Sequence, residues 1–252
     1  MRLHTQSLLD EKNTKSEKSG SPDVIHYHQG KSFLQSAKPD CIIQKFEYGE
    51  SDQEQNQKMR SFDILRNRIS SYLFEYLDGF HIPNHFVSKA SETEMIVKKT
   101  EIIPFYVKLY NVADGTLLKR FNFKENVSVE FPILEHYYSN GTKANAWVNE
   151  YHVYALSLAT PIEFKQINRI ATKVNAVLRG LCDRRGLMLT DLHLEFGRYK
   201  GQILLIDELS PLTCHFLDMQ VEQKSKRDRF SLESDNAEQN LKELSDRLLV
   251  KV

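Results

Sequence analysis

Cysteine is scarce in this 252-residue chain: Cys41, Cys182 and Cys214 are the three, far apart and without a CxxC pair. That spacing argues against a disulfide framework or a zinc knuckle and leaves free thiols in a reducing compartment. Glycine and proline are few, ten and seven, which excludes collagen-like and low-complexity architectures. Neither sign of charge is in excess, since 34 basic and 34 acidic residues cancel. No net field therefore draws the chain to nucleic acid or to a membrane surface. No apolar run approaches the roughly 20 residues of a membrane span, and the chain reads as cytoplasmic. What is present is a hydrophobic share of 40% in a chain long enough to bury a sizeable core. The basic pairs Lys98-Lys99 and Lys119-Arg120 suit a small anion better than a polymer.

Residues 1–22 are polar, with little apolar surface to bury, and read as a disordered tail. Two strands are expected at 24–34 and 41–46 about a Lys38-Pro39-Asp40 turn, followed by a polar loop at 47–58. Phe62, Leu65, Ile69, Leu73 and Leu77 recur at helical spacing and predict an amphipathic helix over 59–77. Strands are expected at 86–88, 94–99 and 102–110. This divides the chain into an N-terminal lobe at 23–103 and a C-terminal lobe at 104–252. Thr160-Pro161-Ile162-Glu163 is a capping box with proline at the first helical position, and the helix it opens carries Ile167, Ile170, Val174, Leu178 and Leu181 as its apolar stripe. Gly186 marks its end. A short amphipathic helix closes the chain at 238–249.

The most informative stretch is 187–218. Met188, Leu192, Leu194 and Phe196 interleave with Asp191, His193 and Glu195, so period-two alternation puts those three polar residues on one face of a strand. Arg198-Tyr199-Lys200-Gly201 reads as a turn, and a second strand at 202–206 ends in Asp207-Glu208. Folding about the turn brings Asp207 beside Glu195. Two carboxylates so placed repel unless a cation lies between them, and Mg²⁺ suits that position because it takes oxygen ligands from one or two carboxylates plus substrate phosphates. Gly30-Lys31-Ser32 imitates a phosphate-binding loop, but that motif needs glycine where Ile25 stands, so it is rejected. His26 and His28 form a pair without an evident third ligand and read as ordinary surface residues.

The run DLHLEFGRYKGQILLIDELSP resembles the signature of the phosphoribosylaminoimidazole-succinocarboxamide synthase (SAICAR synthetase) family. VKKTEIIPFYVKLYNVADGTLLKRF, RNRISSYLFEYLDGFHIPNHF, HQGKSFL and KSKRDRF are similar to further segments of it. The resemblance implies an α+β, two-lobed, ATP-grasp-like or kinase-like fold with antiparallel sheets and a nucleotide cleft between the lobes. It implies ATP and Mg²⁺, and the joining of a carboxyaminoimidazole ribotide to L-aspartate through an acyl phosphate. Lys31, Lys98, Ile102, Glu195 and Asp207 would serve ATP, with Glu195 and Asp207 also holding the metal. Asp191, Glu195 and Lys119 would be catalytic. Gly115, Thr116, Arg120, His193, Ser210 and His215 would bind substrate. The implied partners are small molecules, with a homo-oligomer allowed. The substrate side departs from the family pattern. Tyr106 and Tyr110 stand for its glutamate and arginine, His193 for its lysine, Leu212 for an aspartate and His215 for an arginine. A nucleotide-binding paralogue without this activity, or a ligase for another acid and amine, are the alternatives.

Overall fold

The computed structural model describes residues 24–28, 30–47, 53–113, 116–122, 128–139, 146–220, 229–231, 234 and 236–249. The expected polar tail lies outside them. The first sheet contains β1 (Val24–Tyr27), β2 (Lys31–Gln35), β3 (Cys41–Phe46), β4 (Phe86–Lys89) and β5 (Glu94–Lys98), antiparallel in the order β1-β2-β3-β5-β4. One continuous strand at 24–34 is thus corrected to a hairpin. His28 and Lys31 exchange backbone hydrogen bonds of 2.9 and 3.0 Å, and Gly30 takes φ +69 between them. The polar run His28–Ser32 around that glycine is the sequence signal of the reversal.

Helix α1 (Gln53–Asp78) starts well before position 59, correcting the expected loop. Its first residues lack apolar periodicity, yet glutamine, glutamate and lysine are good helix formers. Its apolar stripe, including Phe62, Ile69 and Leu73, packs with Phe46, Met95 and Val97 of the first sheet.

The second sheet contains β6 (Glu101–Val112), β7 (Ser128–Tyr138), β8 (Ala146–Val148), β9 (Leu187–Tyr199), β10 (Gln202–Ile206) and β11 (Cys214–Asp218). Its order is β10-β9-β6-β7-β8, with β11 also paired to β9. Strand β6, which crosses the expected lobe boundary at 103, pairs with β7 and β9. Alternation identifies a strand but not its neighbour. Helix α2 (Thr116–Phe121), helix α3 (Glu150–Ala155) and strands β7 and β8 were not foreseen. Helices α4 (Pro161–Asp183) and α5 (Ala237–Leu248) were. No helix among the described residues is long and apolar enough to cross a membrane.

Two features of the second sheet position the site. Thr160 and Glu163 cap α4 reciprocally, at 3.2 and 2.7 Å, and Phe164, Ile167, Ile170, Val174 and Leu178 share one core with Phe105, Val107, Leu109, Leu192, Leu194 and Phe196. Residues of opposite parity on β6 and β9 therefore face the other way: Tyr106, Lys108 and Tyr110 beside Asp191, His193 and Glu195. Strand β9 runs on through Tyr199, so the turn to β10 is only Lys200-Gly201, at φ +49 and +79. Positive φ at both residues is the two-residue turn that matches strand twist. It sets Ile206 opposite Glu195 and delivers Asp207 one step beyond.

Gly197 is where the two sheets' connection presses on β9. A Cβ there would lie 2.7 Å from Thr100 Oγ1 and 2.8 Å from Thr100 Cβ. Gly197→Ala is expected to lower stability by about 1–3 kcal/mol, the usual cost of overpacking. An unchanged urea midpoint would contradict the tight contact. On the same strand Arg198 donates to Glu163 at 2.6 Å, tying β9 to the start of α4. The Arg198 hydrogen bond, aided by the Thr160 backbone and opposed by partial burial, holds the Glu163 carboxyl at about 2. Its folded value is depressed, so its contribution is complete above the unfolded value of about 4.3 and is lost as pH falls towards 2. Glu163→Gln should flatten the fall in melting temperature over that window and lower the plateau above it, where the wild-type contribution is complete.

Candidate active site

The carboxylates of the β9–β10 hairpin meet a lysine and an arginine from the first sheet and its helix. Lys31, on the strand after the His28–Gly30 reversal, reaches Asp207 Oδ1 at 2.5 Å and Glu208 Oε1 at 2.9 Å. Arg66, from the middle of α1, takes Glu208 with two nitrogens, Nη2 at 2.6 Å and Nε at 3.1 Å. Its Nη1 donates to Asp63 at 3.0 Å and to the Gly30 carbonyl at 3.1 Å, and its guanidinium lies 4.9 Å from the Phe46 ring centre. Lys31, Asp63, Arg66, Asp207 and Glu208 are all buried. Low dielectric strengthens each pair and makes each group dependent on its partner.

Burial alone would lower the Lys31 ammonium and raise the Glu208 carboxyl. The attractions outweigh it, lifting Lys31 through Asp207 and Glu208 and pulling Glu208 to about 2 through Lys31 and Arg66. Asp207 goes the other way: burial, Glu195 and Glu208 raise it in spite of Lys31. Its backbone is held at φ +72, and Gln44 donates to its carbonyl at 3.2 Å. Asp207 Oδ2 is buried with no hydrogen-bond partner. An orphaned carboxylate oxygen beside a second carboxylate fits a hard divalent cation such as Mg²⁺. No group of three or more histidine, cysteine, aspartate or glutamate side chains suited to a metal occurs among the described residues, so further ligands would come from substrate phosphates and water.

The segment between α1 and β4 runs along this cluster and bridges to β10 at Asn84 and Leu205. His85 N donates to Leu205 O and Leu205 N to Pro83 O, each at 3.0 Å. Burial, with the charges of Lys31 and Lys98, pushes the His85 ring down to about 3 against a hydrogen bond to the Asp207 backbone. Lys98 Nζ donates to the Asn84 carbonyl at 3.0 Å.

Beyond Glu195 the sheet face is aromatic and polar. His193 stacks on Tyr106 at 3.9 Å between ring centres, and Tyr106 on Tyr137 at 5.3 Å. His193 Nε2 sits 3.4 Å from Glu195 Oε1. Glu135 receives Arg120 at 2.5 Å and the Tyr137 hydroxyl at 2.6 Å. Asp191 Oδ1 is 2.8 Å from His215 Nδ1 and 3.8 Å from Lys108 Nζ, and Thr190 Oγ1 donates to Oδ2 at 3.0 Å.

The SAICAR synthetase family description matches residues 42–248. This chain belongs to the SAICAR synthetase family. It is 38% identical over 229 residues to the phosphoribosylaminoimidazole-succinocarboxamide synthase of Chlorobaculum parvum, covering 90% of this chain and 97% of the relative. The crystal structure of the synthase from Ehrlichia chaffeensis superposes with a TM-score of 0.80 at 30% identity, covering 90% of this chain and 98% of that one. A structure described as a type-2 SAICAR synthetase in complex with ADP has the same TM-score and identity, with 90% and 97% covered.

Against the expectations that the SAICAR synthetase resemblance raised, the structure gathers Lys31, Glu195 and Asp207 and places Lys98 at the adjoining connection. Asp191, His193 and His215 lie further along the same sheet. Lys31 is wholly buried between two carboxylates rather than presented to solvent. Ile102 is exposed at the head of β6. Ser210 is fully buried; its hydroxyl accepts from Leu212 N at 3.1 Å and shapes the turn before β11. Lys119 is exposed at the end of α2, while its neighbour Arg120 turns to Glu135. Gly115 lies outside the described residues, and Thr116 opens α2. Sequence reasoning missed Arg66, Glu208 as an anchor, His85, Lys108, Glu135 and Tyr137. Burial would raise the Glu195 carboxyl, but the His193 hydrogen bond and, behind it, Lys31 hold it below the ordinary value. A charged residue in the middle of a helix, as Arg66 is, was the one available signal.

Proposed function

We propose that this chain joins a carboxyaminoimidazole ribotide to L-aspartate, driven by ATP, through an acyl phosphate. Membership of the SAICAR synthetase family supports the reaction. The observation that carries it to particular residues is the buried Lys31–Asp207–Glu208–Arg66 cluster abutting Glu195. A carboxylate is a poor electrophile, and phosphorylation turns it into one that an amine can attack. Catalysis then rests on aligning phosphates and neutralising developing charge. Glu195 and Asp207 would hold Mg²⁺, which supplies charge neutralisation at the transferred phosphoryl group. Lys31 fixes Asp207 and adds positive charge beneath it, and Lys98 adds more from the connection between the sheets. Ile102 offers an apolar surface to the adenine. Arg120 and His193 stand on the substrate side, on either side of the Tyr106–Tyr137 stack. A cytoplasmic location fits this reaction of small molecules.

A second reading has its own observation. The face where the family pattern carries charge is filled here by the Tyr106–His193 stack and by a closed Arg120–Glu135–Tyr137 network, which suits a less charged acid. The test is ADP release, coupled to an optical readout, with ATP, Mg²⁺, the ribotide and L-aspartate. Turnover needing both co-substrates supports the first reading. Release with a different acid and none with the ribotide favours the second. Release with neither overturns both.

A further inference from the structure

We propose that His215, held by Asp191, is the base that takes the proton from the attacking amine; this rests on the ligase reading above. Asp191 is buried, its side chain 7% exposed, whereas the His215 side chain is 54% exposed. The carboxylate accepts from Nδ1 at 2.8 Å. Because an ionised carboxylate accepts only, the bonded nitrogen carries a proton, and in the neutral ring the lone pair lies on Nε2, at the other side. Thr190 braces the arrangement from a single hydroxyl, which lies 3.0 Å from Asp191 Oδ2 and 3.2 Å from the His215 carbonyl. The β9–β11 register slips between His215 and Phe216, directly beside the pair. Such irregularities re-aim side chains next to active sites.

The pair is also in the right place. Asp191 and Glu195 occupy one face of β9, four residues and about 13 Å apart at a strand's rise of about 3.3 Å per residue. With the phosphoryl end at Glu195 and Asp207, the half-exposed His215 lies along the same face, where an acceptor amine would meet it. The titratable neighbours among the described residues include Lys108 from β6, at 3.8 Å from Asp191, and His193 between the two carboxylates on β9.

In the step itself the amine lone pair forms the N–C bond to the acyl carbon. The C–O bond to phosphate breaks, and its electron pair leaves on the phosphate. The surplus proton on nitrogen passes to His215 Nε2, and the imidazolium that results is stabilised by Asp191. No redox partner is needed. Asp191 acts through the ring, as a positioning residue.

The experiment compares two acceptors, L-aspartate and hydroxylamine, in the ATP-, Mg²⁺- and ribotide-dependent release of ADP. Hydroxylamine is a strong nucleophile that is already neutral at pH 7 and traps acyl phosphates without a base. His215→Gln should lose about 100- to 10,000-fold in kcat with aspartate, the range of a general base. It should keep its rate with hydroxylamine and its KM for the ribotide. Asp191→Asn, which favours the other tautomer, should follow the same split. Equal loss with both acceptors, or a raised KM for the ribotide at unchanged kcat, makes His215 an anchor and overturns the proposal. An unchanged aspartate rate overturns it as well. A wild-type protein that releases ADP with hydroxylamine but not with aspartate leaves the acyl-phosphate step standing and removes the role given to His215. One that releases ADP with neither acceptor defeats the ligase reading itself.

Discussion

Asp207→Asn is expected to abolish measurable ADP release while leaving the protein folded. The two effects separate because of where the residue sits. Its φ of +72 is a conformation that asparagine tolerates nearly as well as aspartate. The change also removes repulsion from Glu195 and Glu208, the charges that raise this carboxyl after burial has done so. Lys31 keeps Glu208 as a partner at 2.9 Å. The melting temperature without nucleotide should therefore stay close to that of the wild type. A neutral amide, however, is a poor ligand for a hard divalent cation, and Asp207 Oδ2 is the one oxygen of this cluster without a partner. Loss of outer partners of metal ligands already costs 10- to 100-fold, so loss of a ligand should exceed about 100-fold. The rise in melting temperature on adding ATP with Mg²⁺ should shrink with it. Wild-type turnover in this variant would remove Asp207 from the nucleotide site.

Arg66→Met should produce the largest loss of stability of any single change at the site. The guanidinium is fully buried and satisfies Glu208 twice, Asp63 once and the Gly30 carbonyl once. Methionine fills much of the space against Phe46 and Phe62 but supplies no donor. Asp63 and part of Glu208 are then left as buried charges, and removing one partner of such an ensemble costs about 3–5 kcal/mol. Against a typical total of about 5–15 kcal/mol, that is a large share, readable as a shift of the urea midpoint. The Gly30 carbonyl belongs to the turn that presents Lys31, so nucleotide stabilisation should weaken at the same time. A shift below about 1 kcal/mol would mean that the network is replaceable by packing.

The local signals were legible. The Thr160–Glu163 capping box lies within four residues, and its hydrogen bonds form as the sequence requires. The meeting of Glu195 with Asp207 is also local, because a two-residue turn at Lys200-Gly201 leaves only one register that keeps Leu194, Phe196, Ile203 and Leu205 in the core. The alternation on β6 was visible too, but its consequence was not. Tyr106 and Tyr110 could have packed in the core or faced the site, and only the position of α4 on the other side of the sheet decides between them. Ser210 and Lys119 show the converse, since matching a family pattern told nothing of whether a side chain is buried in a turn or left at the end of a helix.

What the chain's sequence determined by itself is therefore the set of elements whose causes lie within a few residues: the capped helix, the amphipathic stripe, the hairpin and its carboxylates. What only the tertiary structure decided is which distant charges meet. Lys31, Arg66 and Glu208 are separated by up to 177 residues, and although Arg66 falls on the apolar stripe of α1 between Phe62 and Ile69, nothing in the periodicity names the carboxylate it meets. A buried charge is stable only when a partner arrives from elsewhere in the chain, and that arrival is a property of packed sheets and helices, not of any one segment.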